Sequence, residues 1–507
     1  MVEPLQMKGF SPAVSTASGA ALLFYSFSGG LLPLALAPKV FFLSLFIICL
    51  FIGLFRSLDI LAEQKCQRIF RFYVRLLIAF ALGITIGLVA LHYKNQSRFA
   101  APMPVESIKR IEIRLINDVH LLPKGSFSGQ GQVRYCEDSR GLRISSRGII
   151  NILISDSALA LRDLAGQGST LLVEGSFLPS KDGNGDAAPI PTFAASRVVK
   201  LWGPSGLEKL RFTLRKSLVQ QLRGLEWGGF AAALLLGFRD DLDQEVTALY
   251  RKTGSSHVLA LSGMHLGIIA ALLAFVLRKP LGIRMSLFVS LGVLFVYVYL
   301  AGFQPSLSRS HLMYILMLLC FFQGIPFSLL PIIGLSFIIQ LLIDPVGIAS
   351  LSAMLSYAAL IGIVLLSPPM LDVVKGWLPL ALAASLATSL GAFTATAPLV
   401  AGFFGVLYPI GIFVGALLGV LASLFMIGSI LYLTVSYILP PVSPFVGLGL
   451  EVLYRIHLLL LRYGANISVE WKNINWVITG LGSLAMASLF VYGQYRGKTK
   501  RTLTALD

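Results

Sequence analysis

The chain has 507 residues, 56% hydrophobic and 13% charged, with a mean hydropathy of +0.80. A soluble globular chain carries about 25% charged residues, so a water-soluble enzyme, a disordered regulator and a coiled coil are all excluded. Its 41 Lys and Arg against 24 Asp and Glu give a formal net charge of +17, which suits either a polyanion-binding surface or basic cytoplasmic loops.

Counting by segment separates those two readings. Net charge is +6 over residues 1–100, +2 over 101–200, +5 over 201–300, 0 over 301–400 and +4 over 401–507. Much of the excess sits at the ends of apolar runs: Arg56, Lys65, Arg68, Arg71 and Arg75; Arg278, Lys279 and Arg284; Arg496, Lys498, Lys500 and Arg501. Such clusters mark cytoplasmic loops, so topology accounts for most of the charge.

Apolar runs near 20–37, 38–55 and 74–93 predict three N-terminal spans within residues 1–98, with the basic loop 56–75 in the cytoplasm. Residues 103–202 are polar and then lie outside. Strand-like runs at 108–122, 126–137, 148–156, 169–178 and 192–201, with a helical stretch Ala158–Leu164 after the third, predict a small OB-like barrel. The Gly- and Asp-rich loop Lys181–Pro189 separates its last two strands. Residues 205–225 predict a basic amphipathic helix at the membrane surface. Leu207, Leu210, Leu214, Leu218 and Leu222 form one stripe; Lys209, Arg211, Arg215, Lys216 and Arg223 take the other faces.

Residues 226–495 are a membrane domain, with spans near 256–278, 285–302, 309–324, 326–343, 346–367, 377–403, 404–438 (read as two segments) and 472–493. The total is about 10–12 spans, each needing about 20 apolar residues. Residues 440–471 hold a second amphipathic stretch, read as extracytoplasmic, and 496–507 a basic cytoplasmic tail. The expected fold is a polytopic α-helical membrane protein with an inserted extracytoplasmic β-barrel.

The chemistry concentrates in residues 237–267. Gly237, Phe238, Arg239, Asp240 and Asp241 form a charged turn before a short helix, and Asp243 is a candidate cap. Residues 253–267 then hold two His, three Ser and three Gly, among them His257, Ser262, Gly263 and His265. Polar groups at this depth face protein or a water-filled cavity. His257 and His265 could line one pore or cleft; a helix break at Ser262-Gly263 would be needed only for both to bind one metal. A second group is Gln304-Pro305-Ser306 with Arg309, which a snorkelling side chain would also explain. A third follows Asp344-Pro345 and holds Ser352 and Ser356. A fourth, Thr388, Ser389, Thr394 and Thr396, fits helix packing equally well. Four Cys without ligand spacing, and no Gly-rich phosphate loop or zinc helix, leave no metal, cofactor or built-in ATP motor expected.

These motifs resemble those of the ComEC competence proteins. Leu235-Leu236-Gly237 with its charged turn, Thr253 through His265, Gln304-Pro305-Ser306 with Arg309, Leu351 through Ala358, and Thr396-Ala397-Pro398-Leu399 carry the resemblance, over roughly residues 40–490. It implies an inner-membrane channel that passes single-stranded DNA during natural transformation. The path or gate would hold His257, Ser262, Gly263, His265, Gln304, Arg309, Ser352 and Ser356, with Gly237, Arg239, Asp240 and Asp241 as the motif turn. Arg309 would meet phosphate. In the barrel, Arg134, Tyr135, Arg140, Arg143 and Arg147, with Phe127 and Phe177, are candidate DNA contacts, although net +2 makes the barrel a weak electrostatic trap. Partners implied are DNA, the bilayer, a DNA receptor, a cytoplasmic helicase or ATPase, a separate nuclease and a second copy of the chain. Phe238 stands where the family favours an acid, and no Asn stands near Ile410–Gly419. The metallo-β-lactamase-like domain of many members does not follow Asp507, so no nuclease activity is expected. Two rival readings are an intramembrane hydrolase using Ser262 with His257 or His265, and a small-solute transporter with broken helices.

Overall fold

A computed structural model describes residues 12–28, 64–97, 99–122, 126–155, 165–178, 190–473, 478–483 and 485. The expected span at 38–55, the helix Ala158–Leu164, the whole Lys181–Pro189 loop, most of the span at 472–493 and the tail 496–507 lie outside these residues. Among the described residues, seven helices are long and apolar enough to cross a membrane. The protein is a polytopic membrane protein carrying a β-barrel domain. It divides into two compact units, residues 1–220 with 316–350 and residues 221–315 with 351–507.

The first unit opens with helices α1 (Pro12–Ser28) and α2 (Gln64–Gln96). Glycines bring them close: a Cβ on Gly83 would lie 2.0 Å from Thr16 O. This backbone-to-backbone approach suits helices packed in lipid, where dispersion rather than water drives association. The same unit contains the short apolar helix Leu329–Ile343 from much later in the chain. Gly334 packs against the backbone of Ala13, and Tyr25 Oη donates to Ile348 O at 2.9 Å.

The barrel strands are β1 (Ile108–Leu115), β2 (His120–Leu121), β3 (Phe127–Asp138), β4 (Arg143–Ser145), β5 (Ile149–Ile154), β6 (Thr170–Phe177) and β7 (Thr192–Trp202). Five of them close a ring in the order β1-β3-β5-β7-β6-β1, with β5 and β7 parallel and the other neighbours antiparallel. That is the Greek-key order of an OB barrel, as expected from the run spacing. Alternation drives it: Ile111, Ile113 and Leu115 point inward with Val133, Ile150, Ile152, Leu171, Val173 and Phe193.

Helix α3 (Gly206–Leu222) seats two of its basic side chains on the barrel. Arg211 and Arg215 are buried and both pair with Asp118, in the turn after β1. Glu208 pairs with Arg114 of β1 at 2.8 Å. Leu207, Leu210 and Leu214 are exposed. Arg211 and Arg215 are thus spent on protein, while Leu207, Leu210 and Leu214 of the expected stripe face outward and Leu222, at its end, is buried. Burial pushes the Asp118 carboxyl up, but the Arg215 and Arg211 guanidiniums outweigh it and hold the group below the usual carboxylate range.

The second unit is helical: α4 (Gly228–Leu236), α5 (Gln244–Lys252), α6 (Gly263–Ala301), the first part of α7 (Pro305–Phe322), α8 (Leu351–Val374), α9 (Leu380–Phe404), α10 (Gly411–Ile438) and α11 (Ser443–Asn466). The expected spans at 256–278 and 285–302 run as α6, broken at Gly282 (φ 72°) two residues after Pro280. The region 404–438, expected as two segments, contains one continuous helix, α10, because Gly411, Gly415 and Gly419 do not interrupt it. The stretch read as an extracytoplasmic surface element contains α11, and residues 440–466 are apolar enough to be a candidate span. Trp227, Phe230, Tyr250, Phe425, Tyr454 and Leu461 form the core where α4, α5, α10 and α11 meet. Within it Tyr250 Oη is hydrogen-bonded to His457 Nε2.

Candidate translocation site in the membrane unit

The charged turn is a latch. Gly237 ends α4 in the left-handed region (φ 66°), and a Cβ there would lie 2.8 Å from Leu261 Cδ1 and 3.3 Å from Gln304 Nε2. Arg239 Nη2 donates to Leu259 O at 3.0 Å, and Arg223 Nε donates to Asp241 Oδ2 at 3.1 Å. Asp243 caps α5 by accepting from Glu245 N at 2.8 Å, while Asp241 serves the ion pair with Arg223.

From there the chain crosses the bundle in non-regular form. Thr253 and Ser255 are buried and spend their hydroxyls on nearby backbone carbonyls. Gly254 (φ 66°) sits against Tyr408. His257 follows in a single 3₁₀ turn, Ser256–Val258. Its surface is accessible although other helices crowd it: a Cβ on Gly415 of α10 would lie 3.1 Å from His257 Cε1 and 3.7 Å from Ser389 Oγ of α9. His257 and His265 therefore do not share one straight helix.

Ser262 begins α6. His265 Nδ1 accepts from Ser262 N–H at 3.2 Å and pairs with Ser262 Oγ at 3.1 Å. An acceptor Nδ1 leaves the ring proton on Nε2, which is buried and without a hydrogen-bond partner among the described residues. A nucleophile–base pair needs a third group to orient the base, and none is present among those residues.

Gly263 packs on α7: a Cβ there would lie 2.7 Å from Ser310 Oγ. One turn earlier on α7, Ser306 Oγ meets Ser356 Oγ of α8 at 2.9 Å. Arg309 is buried beside them, 5.1 Å from the Tyr357 ring centroid. Burial by protein argues against the snorkelling alternative for Arg309. Ser352 lies one helical turn before Ser356 and is exposed. Asp344, in the other unit, caps the turn Pro345–Ile348 through Gly347 N at 2.8 Å. Thr388, Thr394 and Thr396 bond carbonyls of their own helix.

On the barrel, Arg134, Arg140, Arg143 and Arg147 are exposed. Arg143 lies 4.2 Å over the Tyr135 ring and pairs with Glu112. Phe127 is a correction: it is buried in the barrel core, and Phe177 packs on Phe99 and Phe193, so neither is a free stacking platform. Sequence reasoning missed Lys200 and Trp202, stacked at 4.8 Å on β7. The period-2 alternation that put Trp202 on the outer face was the available signal.

The family profile described as "Competence protein" matches residues 234–499. The chain belongs to that family. The chain is also similar to an uncharacterised protein of Aquifex aeolicus, 27% identical over 250 residues, covering 49% of this chain and 58% of that protein. ComE operon protein 3 of Bacillus subtilis is 31% identical over 169 residues, covering 32% of this chain and 22% of that one. Recombination protein 2 of Haemophilus influenzae is 31% identical over 113 residues, covering 20% and 14%. The matches thus span little more than half of the first relative and under a quarter of the other two. No solved structure gives a significant match. The family match includes every path residue above and excludes the barrel.

Proposed function

We propose that this competence-family protein conducts single-stranded DNA across the cytoplasmic membrane during transformation, with the barrel outside. What carries the reading is convergence. Segments around residues 237, 257, 263, 304, 309 and 356, far apart in sequence, meet pairwise inside an apolar helical unit: Gly237 with Gln304, Gly263 with Ser310, Ser306 with Ser356, His257 with Gly415. Hydroxyl, imidazole and guanidinium groups offer hydrogen bonds where lipid offers none. A static apolar core would not retain them.

The outward leucines of α3 support the outer placement of the barrel. Leu207, Leu210 and Leu214 would enter the lipid headgroup boundary while Arg211 and Arg215 hold the barrel. Incoming strand would meet Tyr135, Arg143, Lys200 and Trp202 first, with Arg134, Arg140 and Arg147 around them, then pass the His257 and Arg309 region. Direction would come from a cytoplasmic ATPase or helicase or from an ion gradient, with a separate nuclease and a DNA receptor as partners. A hydrolase reading leans on the Ser262–His265 contact but has no orienting carboxylate among the described residues.

Entry of labelled DNA into the cytoplasm tests the proposal. Cells lacking the gene should accumulate label outside the membrane only. Cells carrying a stably inserted His257→Ala variant should import at least tenfold less than wild type. Equal cytoplasmic label with and without the gene would end the reading.

A further inference from the structure

The helical unit buries a cation, Arg309, that no carboxylate pairs with among the described residues. Arg309 is 5% exposed, on the second turn of α7. A guanidinium has five N–H donors. Here Nε and Nη1 have no partner, and Nη2 makes one long bond to Ser306 Oγ at 3.4 Å. No ion pair to Arg309 occurs among the described residues. The face of Tyr357, 5.1 Å away, gives only partial relief. A buried charge persists when it is paired, and a lone ionisable group at membrane depth marks a ligand path.

The missing partner has a definable chemistry. It is anionic, because the donors are cationic. It needs only one charge, because it answers one guanidinium. It offers several acceptor oxygens, because several donors are idle. A phosphodiester meets all three conditions, and guanidinium is the side chain suited to forked recognition of phosphate oxygens. Ser306 and Ser356 place two hydroxyls beside it. We propose that Arg309, Ser306 and Ser356 form a site that holds one phosphodiester group of the moving strand at a time. The proposal rests on the DNA-conducting reading above. A solitary cation also suits transit, since conduction requires a site strong enough to fill and weak enough to empty.

The test uses the full chain in nanodiscs and a fluorescent oligothymidylate, with affinity measured across a salt series. Wild type should bind. Arg309→Gln should bind about tenfold more weakly, the loss of one charge-assisted contact. Its slope of log affinity against log salt should be shallower by about 0.7, the value for one phosphate released from a single strand. Arg309→Lys should keep the slope and lose part of the affinity. If Arg309→Gln fails to insert, Ser306→Ala and Ser356→Ala decide instead: each should weaken oligothymidylate binding and leave the slope unchanged, and wild-type affinity in both would overturn the site. Arg309→Gln matching wild type in affinity and slope would overturn the site while leaving the DNA reading intact. A wild-type protein that binds no oligonucleotide would overturn the reading itself. Comparison of phosphatidylcholine with phosphatidylglycerol discs separates the other phosphodiester source. Retention of phosphatidylglycerol that depends on Arg309, with an unchanged DNA slope, would assign the site to a lipid headgroup and overturn the proposal.

Discussion

Replacing Asp118 by Asn should undock helix Gly206–Leu222 from the barrel. The substitution keeps the shape of the side chain and removes its charge. Arg211 and Arg215, with side chains 5% and 10% exposed, would then lie together without their counter-ion. Removing one partner of a buried pair typically costs about 3–5 kcal/mol. Asp118 itself is 21% exposed, which places the effect near the lower end, about 3 kcal/mol. That is about a hundredfold increase in the population of the undocked helix. Hydrogen exchange on the full protein in nanodiscs reads this directly: amides of residues 206–222 should exchange about a hundredfold faster, while the barrel strands change less. The pH dependence follows from the lowered carboxyl. A group depressed in the folded state stabilises above its unfolded value and loses that contribution only as pH falls through the folded value. Wild-type protection should therefore hold from neutral pH down to about pH 4, the unfolded Asp range, and fall only below it. A triple replacement by Leu at Asp118 and Met at Arg211 and Arg215 should restore docking, since well-packed apolar groups replace a buried ionic cluster at little loss. Unchanged exchange in Asp118→Asn would refute the assignment of the clamp.

Three further outcomes are expected. Gly415→Val adds a Cβ 3.1 Å from His257 Cε1 and branches it, so transformation should fall at least tenfold with normal protein levels, whereas Gly419→Ala, which meets nothing within 4 Å, should be tolerated. Tyr250→Phe leaves His457 buried without its hydrogen bond; thermal unfolding in detergent should register a loss of about 1–3 kcal/mol. Trp202→Ala and Tyr135→Ala should each weaken oligonucleotide binding by about 1–3 kcal/mol if these rings stack on bases, measured by fluorescence titration at fixed salt.

The barrel was legible in the sequence because its residues alternate. Ile111, Ile113 and Leu115 fall two apart, and the observed strand ends lie within a few residues of the runs read from pattern, apart from β1, which stops at Leu115. The orientation of α3 was not legible. Periodicity separates the leucine stripe from the arginines, but the partner deciding which face is buried is Asp118, about ninety residues upstream in chain count. The region 404–438 was over-divided: Gly411, Gly415 and Gly419 leave α10 continuous, and lipid-packed helices tolerate glycine. At the site, the residue types were legible and the geometry was not. In sequence Arg309 fits a path residue or a snorkelling side chain; only the neighbours Tyr357 and Ser306 show that protein encloses it.

The clasp of Leu329–Ile343 by α1 and α2 bears on how the chain can be cut. The family match begins at residue 234, yet this helix, well inside it, belongs to the same compact unit as residues 12–28 and 64–96. The N-terminal pair is synthesised first and presents the backbone of Ala13 and the hydroxyl of Tyr25 long before their partner emerges from the ribosome. Excising the matched region alone would strip one of its own helices of its seat. The family region in this protein thus depends, for the packing of one of its helices, on residues that precede it in the chain.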